Sequence, residues 1–328
     1  MTYSSGGLIQ ATDYNGFVGS SPGSTANQIN TIWAVGNGNA GYGQSSLAQV
    51  SAGNTVTATQ WATAVNTLNT ILTHQSGSGS GIGAPTAGSI ITYLSTFSSS
   101  LTTAYSNRLN ASTNGTDITG TAPGAATWNS STPTTFQIIR TATFASADQA
   151  RYFFNAGGKL VLTFSATNTL GNSKGADWVT LLNTKFASIT VGATTNVRNG
   201  VGGTATATNA SLGYWNAGTT NNSMITLTSA SGTADYSSNS IAVGIKTNGV
   251  QGSNGDVGTV LTFQIDLTDA AADTNTAPPG IPAYTPPGTP PSQGNFNDQL
   301  NLSITTNITV RPPETTNLTN SWGTVTIA

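Results

Sequence analysis

Apolar residues in the first quarter of the chain recur at helical spacing. Four of them, separated by four, three and four residues, give one apolar face to a helix: Trp61, Val65, Leu68 and Leu72. Thr57, followed three residues later by Gln60, predicts a capping box at the start of this helix. A shorter apolar face predicts another helix over residues 24–33. We therefore predict a small helical attachment module over residues 1–80, ending in a flexible glycine-serine run.

A third helix is predicted over residues 88–109. Its apolar positions alternate at intervals of four and three over about two heptads: Ile90, Leu94, Phe97, Leu101 and Ala104. The face is equally compatible with packing inside one domain and with a bundle shared between subunits. Six residues are accordingly the candidate assembly residues: Trp33, Trp61, Ile90, Leu94, Phe97 and Leu101. The rest of residues 81–132 is small and polar and is predicted to be a linker.

From residue 133 onward the pattern changes to the period of two that is typical of strands. Strands are predicted over nine segments: 136–144, 159–166, 187–191, 212–215, 224–228, 241–247, 260–266, 302–311 and 324–327. Short helices are predicted over residues 146–154, capped by Ser146, and over residues 177–185. A proline-rich loop, 277–294, interrupts the strands. The predicted fold class is α+β, a small N-terminal helical module followed by an antiparallel β-sandwich over residues 133–328.

Charge is scarce in this sequence. Only 6% of residues are charged and the net charge is −2, whereas ordinary domains have roughly 25% charged residues. A neutral surface of Thr, Ser and Asn lacks the repulsion that keeps proteins apart, which favours association. The basic residues are scattered singly, so nucleic-acid binding is not expected. With no cysteine and no long apolar run, neither a thiolate metal site nor a membrane segment is expected.

No group of residues predicts a reaction centre. The run from Gly36 to Gly41 matches G-x-G-x-x-G, but a helix precedes it where a dinucleotide site needs a strand. His74 is the only histidine and lies near a helix end, where capping or packing is expected. Asp266, Asp269 and Asp273 form the densest acidic group, which suits a solvated turn or a Ca²⁺ ion. We expect no enzyme activity and no cofactor.

The aromatic residues are expected mainly in the core. An exposed subset would bind sugars by stacking, and Tyr214 with Trp215 is the candidate pair. A host-surface glycan is therefore one expected partner.

Three stretches of the sequence carry a resemblance to a known group of proteins. The first comprises ATDYN at residues 11–15, INTIW at 29–33 and GYGQ at 41–44. The second is VTATQW at 56–61 with THQ at 73–75, and the third, the most distinctive, is FASADQARYFFNAGG at 144–158. Together they resemble the uncharacterised virion structural proteins of tailed bacteriophages, notably phages of cyanobacteria and other aquatic bacteria.

The resemblance implies a particle component near the tail, collar or fibres. It brings no catalytic residues. The expected partners are copies of the chain itself, as a trimer or ring, and other virion proteins, with synthesis in the host cytoplasm. A capsid decoration protein, a glycan-binding receptor module and a bacterial surface-layer or adhesin protein remain alternatives. The sequence leaves open the position in the particle and whether a Ca²⁺ is bound.

Overall fold

A computed structural model describes residues 10–120, 124–130, 134–171, 173–229, 237–251, 258–270 and 300–328. The predicted proline-rich loop, 277–294, lies outside these residues. The helices are α1 Ala11–Val18, α2 Ile29–Trp33, α3 Ala58–Ser76, α4 Leu94–Ser106, α5 Ala147–Asn155 and α6 Ser173–Thr180. A π-helix, Leu181–Phe186, continues α6, and Tyr214–Asn216 form a 3-10 turn.

Two antiparallel sheets make up the remainder. The strands are β1 Ile118–Thr119, β2 Ala126–Ser130, β3 Thr134–Thr143, β4 Lys159–Asn168, β5 Ser188–Val191, β6 Asn196–Arg198, β7 Thr204–Thr208, β8 Asn222–Thr228, β9 Ser240–Thr247, β10 Val260–Asp269, β11 Leu300–Arg311 and β12 Thr326–Ile327. The first sheet has the order β1-β11-β4-β5-β6, with β2 also paired to β11. The second has the order β12-β3-β10-β9-β8-β7. The predicted α+β class, with a helical N-terminal part, is confirmed.

Local signals placed several elements correctly. The capping box of α3 is present, because the backbone N–H of Gln60 donates to Thr57 Oγ1 at 3.2 Å and Thr57 N–H donates to Gln60 Oε1 at 2.8 Å. Ser146 caps α5 by accepting a hydrogen bond from the backbone of Gln149. Gly157, after α5, has a φ of 80°, as the predicted helix stop requires.

Four predictions about secondary structure were wrong. The helix expected over residues 24–33 begins only at Ile29. The helix expected over 88–109 begins only at residue 94, so Ile90 precedes it. The linker expected to end at residue 132 contributes β1 and β2, which pair with β11. Residues 212–215 enter a 3-10 turn rather than a strand. Short strands whose partners lie far along the chain leave little periodicity to detect.

The glycine-serine run after α3 is not a free linker. Gly77 ends α3 in the left-handed conformation, and the side chain of Asn69 then binds the chain that follows. Asn69 Oδ1 accepts from the backbone of Ser80 at 2.8 Å, and Asn69 Nδ2 donates to the carbonyl of Ile82 at 2.9 Å. The run is therefore bound back onto α3.

The buried apolar side chains form one continuous cluster. It extends from Tyr14 in α1 through Trp61 in α3 to the inner faces of both sheets, and it includes Trp322 near the C-terminus. The inner faces follow the strand period, since alternate residues of β10 and β11 are buried along their whole length. The helical region and the sheets therefore share a core.

Candidate functional site

Three of the six candidate assembly residues lie inside the protein. Trp61, Phe97 and Leu101 are at most 1% exposed. The rings of Trp61 and Phe97 are 5.3 Å apart, and Phe17 of α1 contacts both edge-on. These side chains fill the chain's own core and offer no surface to another subunit. Of the two readings of the heptad pattern, packing within one chain therefore holds for α4.

The other three candidates reach the surface. Ile90 is 82% exposed, whereas Leu94 and Trp33 are half-buried. The indole N–H of Trp33 donates to the carbonyl of Ser45 at 3.0 Å, which fixes the ring beside an open groove. Of the six candidates, these three are therefore the ones with surface available to another chain.

The loop after α2 is held by one buried arginine of α5. The guanidinium of Arg151, with no exposed surface, donates to the carbonyls of Val35, Gly38 and Ala40 at 3.0 to 3.3 Å. It also donates to Asp148 Oδ1, one turn earlier on α5, at 2.9 Å. A planar group with five donors suits several fixed acceptors at once. Residues 35–41, which include the match to the dinucleotide pattern at residues 36–41, thus form a structural loop bound by α5.

Asn155, one turn further along α5, binds the same loop. Its amide Nδ2 donates to the carbonyls of Gly38 and Gly41 at 3.2 Å each, and its Oδ1 accepts from the indole N–H of Trp215 at 3.1 Å. We name Arg151, Asn155 and residues 35–41 the loop clamp. Both polar residues of the clamp belong to the FASADQARYFFNAGG stretch, and the loop runs into GYGQ. The most distinctive stretches thus contact one another.

The C-terminal segment reaches the same loop. The amide of Gln44 pairs with the backbone of Thr319, donating at 2.8 Å and accepting at 2.9 Å. Tyr42 is fully buried, and its hydroxyl accepts from Gln75 Nε2 at 2.7 Å. Burial raises the pKa of Tyr42 well above its ordinary value, so the phenol stays neutral. The N-terminal and C-terminal parts of the chain meet here through neutral hydrogen bonds.

His74 connects three parts of the fold. It is fully buried, and its Nδ1 lies 2.8 Å from Glu314 Oε1. Its Nε2 lies 3.2 Å from the carbonyl of Ala156, the C-cap residue of α5. Each ring nitrogen of His74 thus faces a hydrogen-bond acceptor. The histidine was expected to cap or pack at the end of its own helix, α3, whereas it is buried and contacts the end of α5.

Glu314 is well supplied with donors. Its Oε2 accepts from the backbone N–H groups of Thr316 and Asn317 at 2.6 and 2.9 Å, and its Oε1 accepts from the Asn317 side chain at 3.0 Å. Burial alone would raise the pKa of Glu314, but the hydrogen bonds from His74 and from the turn that follows together hold this pKa below its ordinary value. The carboxylate opposite His74 is thus ionised over a wider pH range than an ordinary glutamate.

A second group of buried charges lies where α6 meets the second sheet. Lys174 Nζ is 2.7 Å from Asp269 Oδ2. The hydroxyl of Ser229 lies 2.8 and 2.7 Å from the two carboxylate oxygens of Asp177, and Lys185 Nζ donates to the carbonyl of Ser229 and lies 3.2 Å from its hydroxyl. Ser229 has no exposed surface. A serine, a lysine and an aspartate thus meet in a buried position.

Asp269 differs from its predicted setting. The sequence suggested a solvated turn after a strand, whereas Asp269 is the last inward-facing residue of β10 and is 2% exposed. Asp266 faces outward on the same strand and accepts from Gln137. Asp273 lies outside the described residues. Within the described part of the chain, no three His, Asp or Glu side chains are arranged to hold a metal ion.

The candidate glycan-binding pair is not an exposed platform. Tyr214 is 2% exposed, and its ring stacks on Phe154 with centroids 4.3 Å apart. Trp215 is half-buried and hydrogen-bonded to Asn155.

A cavity of about 350 Å³ lies between β1, β11 and the C-terminal segment. Its walls are mainly apolar: Ile118, Val310, Pro312, Pro313, Trp322 and Val325.

Among the described residues, strand β7 is the last strand of the second sheet. It pairs with β8 on one side, and all five of its residues, Thr-Ala-Thr-Ala-Thr, are exposed. Natural edge strands are protected by charges, proline, bulges or short length. β7 is short and its register shifts between Ala205 and Ala207, but it has no charge and no proline. Sequence reasoning, which predicted no strand here, missed this candidate contact surface.

Comparison of the chain with protein-family models, curated proteins and solved structures found no match. Among the described helices, none combines the length and the apolar character needed to cross a bilayer.

Proposed function

We propose that the protein is a structural subunit of a tailed-phage virion, associated with the tail fibre, baseplate or collar. It acts by assembling with copies of itself and docking on other virion proteins. It catalyses no reaction on other molecules and needs no cofactor.

The distribution of charge carries this proposal. The chain has nine basic and eleven acidic residues. Of the sixteen that the structure describes, seven are buried: Asp13, Arg151, Lys174, Asp177, Lys185, Asp269 and Glu314. Charged residues are normally the last to be buried and the first to solvate a surface. In this chain many of the few charged residues form hydrogen bonds and ion pairs inside the fold. The exterior therefore carries few charges. An exterior of that kind suits a subunit that is covered by neighbours.

Two further features support a mechanical role. The loop clamp and the His74–Glu314 pair bind the helical region to α5 and to the C-terminal segment, which makes the protein a stiff block. Strand β7 offers backbone hydrogen-bonding groups on its open edge to a strand of another copy. Pairing between edges gives long-lived contacts without charge complementarity.

A capsid decoration protein would share all of these features and would differ in copy number. Decoration proteins are present in far more copies per particle than fibre or baseplate subunits.

The buried position of Tyr214 removes the main reason for the glycan-binding alternative, and a host glycan stays a predicted partner only.

The proposal is tested on purified particles from the phage whose genome encodes the chain. Antibodies against the recombinant protein should label one end of the particle in electron micrographs, and quantitative mass spectrometry should give a copy number in the range of tail components. Labelling spread over the capsid would favour decoration. Absence of the chain from intact particles would refute a virion role.

A further inference from the structure

Lys174 and Asp269 form a buried ion pair between two elements of the fold. Lys174 is 1% and Asp269 2% exposed, and their charged atoms are 2.7 Å apart. They belong to different elements, the first turn of α6 and the last residue of β10. An ammonium and a carboxylate so completely removed from water pay a large desolvation cost, which their mutual attraction offsets only in part.

The pair lies at the edge of the apolar core, with polar residues on its other side. Asp269 ends a row of inward-facing residues of β10: Leu261, Phe263, Ile265 and Leu267. Trp178, one turn after Lys174 on α6, packs edge-on against Trp128, which stacks on Phe136 of the strand beside β10. In such surroundings proton transfer from Nζ to Oδ2 is favoured, giving a neutral amine and a carboxylic acid. These are the forms that condense.

We propose that Lys174 and Asp269 join spontaneously in an isopeptide bond after folding. The neutral Nζ attacks Cγ of Asp269, the N–C bond forms, and one C–O bond of the carboxylic acid breaks. The departing oxygen takes the acid proton and one amine proton and leaves as water, so no oxidant or cofactor is required. Two buried charges become one neutral amide.

Proximity supplies the driving force for a condensation that is unfavourable between free groups in water. Effective molarities of well-oriented intramolecular partners are on the order of 10⁵ to 10⁸ M, far above the concentration of water. The folded core also excludes the water that would hydrolyse the product. The bond would fasten α6 to β10 in a chain that has no cysteine and hence no disulfide, which suits a particle component without depending on that role.

Lys185 provides an internal comparison. It is also buried in this region, but its Nζ contacts the carbonyl and hydroxyl of Ser229 rather than a carboxylate. An amine beside a hydroxyl and a backbone carbonyl has no acid to condense with. Lys185 should therefore remain a free amine.

The test is the intact mass of the folded, purified full-length chain. Wild type should weigh one water less than its sequence, and tryptic digestion should yield a branched peptide that joins the segments containing Lys174 and Asp269. Lys174→Arg keeps a cation opposite Asp269 but removes the reactive amine, so this variant should show its full sequence mass. Lys185→Arg should keep the loss of water.

Two results would overturn the proposal. One is wild-type protein at its full sequence mass, which would mean that the two groups remain an ion pair. The other is a loss of water that persists in Lys174→Arg, which would place the dehydration elsewhere. Because the first result is the mass of the wild-type protein, it does not depend on whether any variant folds.

Discussion

Nδ1 of His74 lies 2.8 Å from Oε1 of Glu314, although the two residues are 240 positions apart in the sequence. The pair joins the end of α3 to the C-terminal segment, and the second nitrogen of the imidazole binds the end of α5. One histidine thereby connects the helical region, the sheet region and the chain's last segment. Breaking the contacts of His74 should therefore destabilise the helical region, the sheet region and the C-terminal segment together.

Replacing Glu314 by Ala should strongly destabilise the protein. The change leaves Nδ1 of the buried His74 without its hydrogen-bond partner, for which the expected loss of unfolding free energy is about 1–3 kcal/mol. Urea denaturation measures it. The matched control is Asp117→Asn at the Asp117–Arg311 pair, whose side chains are 42% and 37% exposed and whose loss should cost at most about 1 kcal/mol. Equal losses in the two variants would contradict the account.

The Glu314 carboxylate should also make stability depend on acidity. Its folded pKa lies below the ordinary value of 4.5, so the unfolded chain takes up this proton first as the pH falls. Its contribution is complete above the unfolded value and is lost as the pH falls through the folded one. Unfolding free energy measured below pH 4.5 should therefore fall more steeply for wild type than for Glu314→Gln.

The titration of Asp117 does not affect the comparison between wild type and Glu314→Gln. Its pKa is also lowered, first by the hydrogen bond from Arg311, but it is present in both proteins and cancels in the difference. Parallel curves for wild type and Glu314→Gln would show that Glu314 is not ionised more readily in the folded chain.

Arg151→Met should open the loop clamp. Methionine keeps the apolar stem but donates no hydrogen bonds, which leaves the carbonyls of Val35 and Ala40 unpaired, whereas the carbonyl of Gly38 keeps its hydrogen bond from Asn155. An unsatisfied buried group costs about 1–3 kcal/mol, so a total loss of at least about 2 kcal/mol is expected. Limited proteolysis should cut within residues 35–41 of the variant first. Unchanged stability and the wild-type cleavage pattern would mean that the clamp is dispensable.

Phe97 and Ile90 should separate folding from assembly. Phe97→Ala creates a cavity in the aromatic cluster of α1, α3 and α4 and should cost about 3–5 kcal/mol. Ile90→Ser alters a side chain that is 82% exposed and should leave the unfolding free energy unchanged within about 0.5 kcal/mol. If the Ile90 side of the molecule contacts another subunit, only Ile90→Ser should weaken association without loss of stability.

Thr206→Lys should impair pairing at the open edge of β7. A lysine placed there brings a charge that would have to be desolvated between two strands. The fold should tolerate the change, because Thr206 is exposed. Sedimentation velocity should show a smaller fraction of oligomer than in wild type, and Thr220→Lys, at an exposed loop position outside β7, serves as the control. An oligomer that resists the β7 change would show that β7 lies outside the contact.

Elements with strong local signals were predictable from the sequence. The capping box at Thr57, the cap at Ser146 and the alternation of β10 and β11 are each encoded within a few neighbouring residues. The strands β1, β2, β6 and β7 were not predicted, since each is at most five residues long and is defined by its partner. The start of α4 was misplaced because the heptad spacing continued beyond the helix.

The buried ion pairs could not be predicted from the sequence, for a different reason. Nothing adjacent in sequence links His74 with Glu314 or Lys174 with Asp269. One signal was available: the inward register of β10 continues from Leu267 to Asp269, so a carboxylate in the core could have been expected. Arg151, within an otherwise apolar helix end, offered a similar indication.

The association state of the purified wild-type chain tests the central claim most directly. Multi-angle light scattering across a range of concentrations should show a defined oligomer that persists on dilution and at high salt, because its contacts are apolar and backbone-mediated rather than ionic. A monomer that stays soluble and monodisperse at the highest concentration would contradict the claim that this nearly uncharged surface exists to be covered by neighbouring subunits.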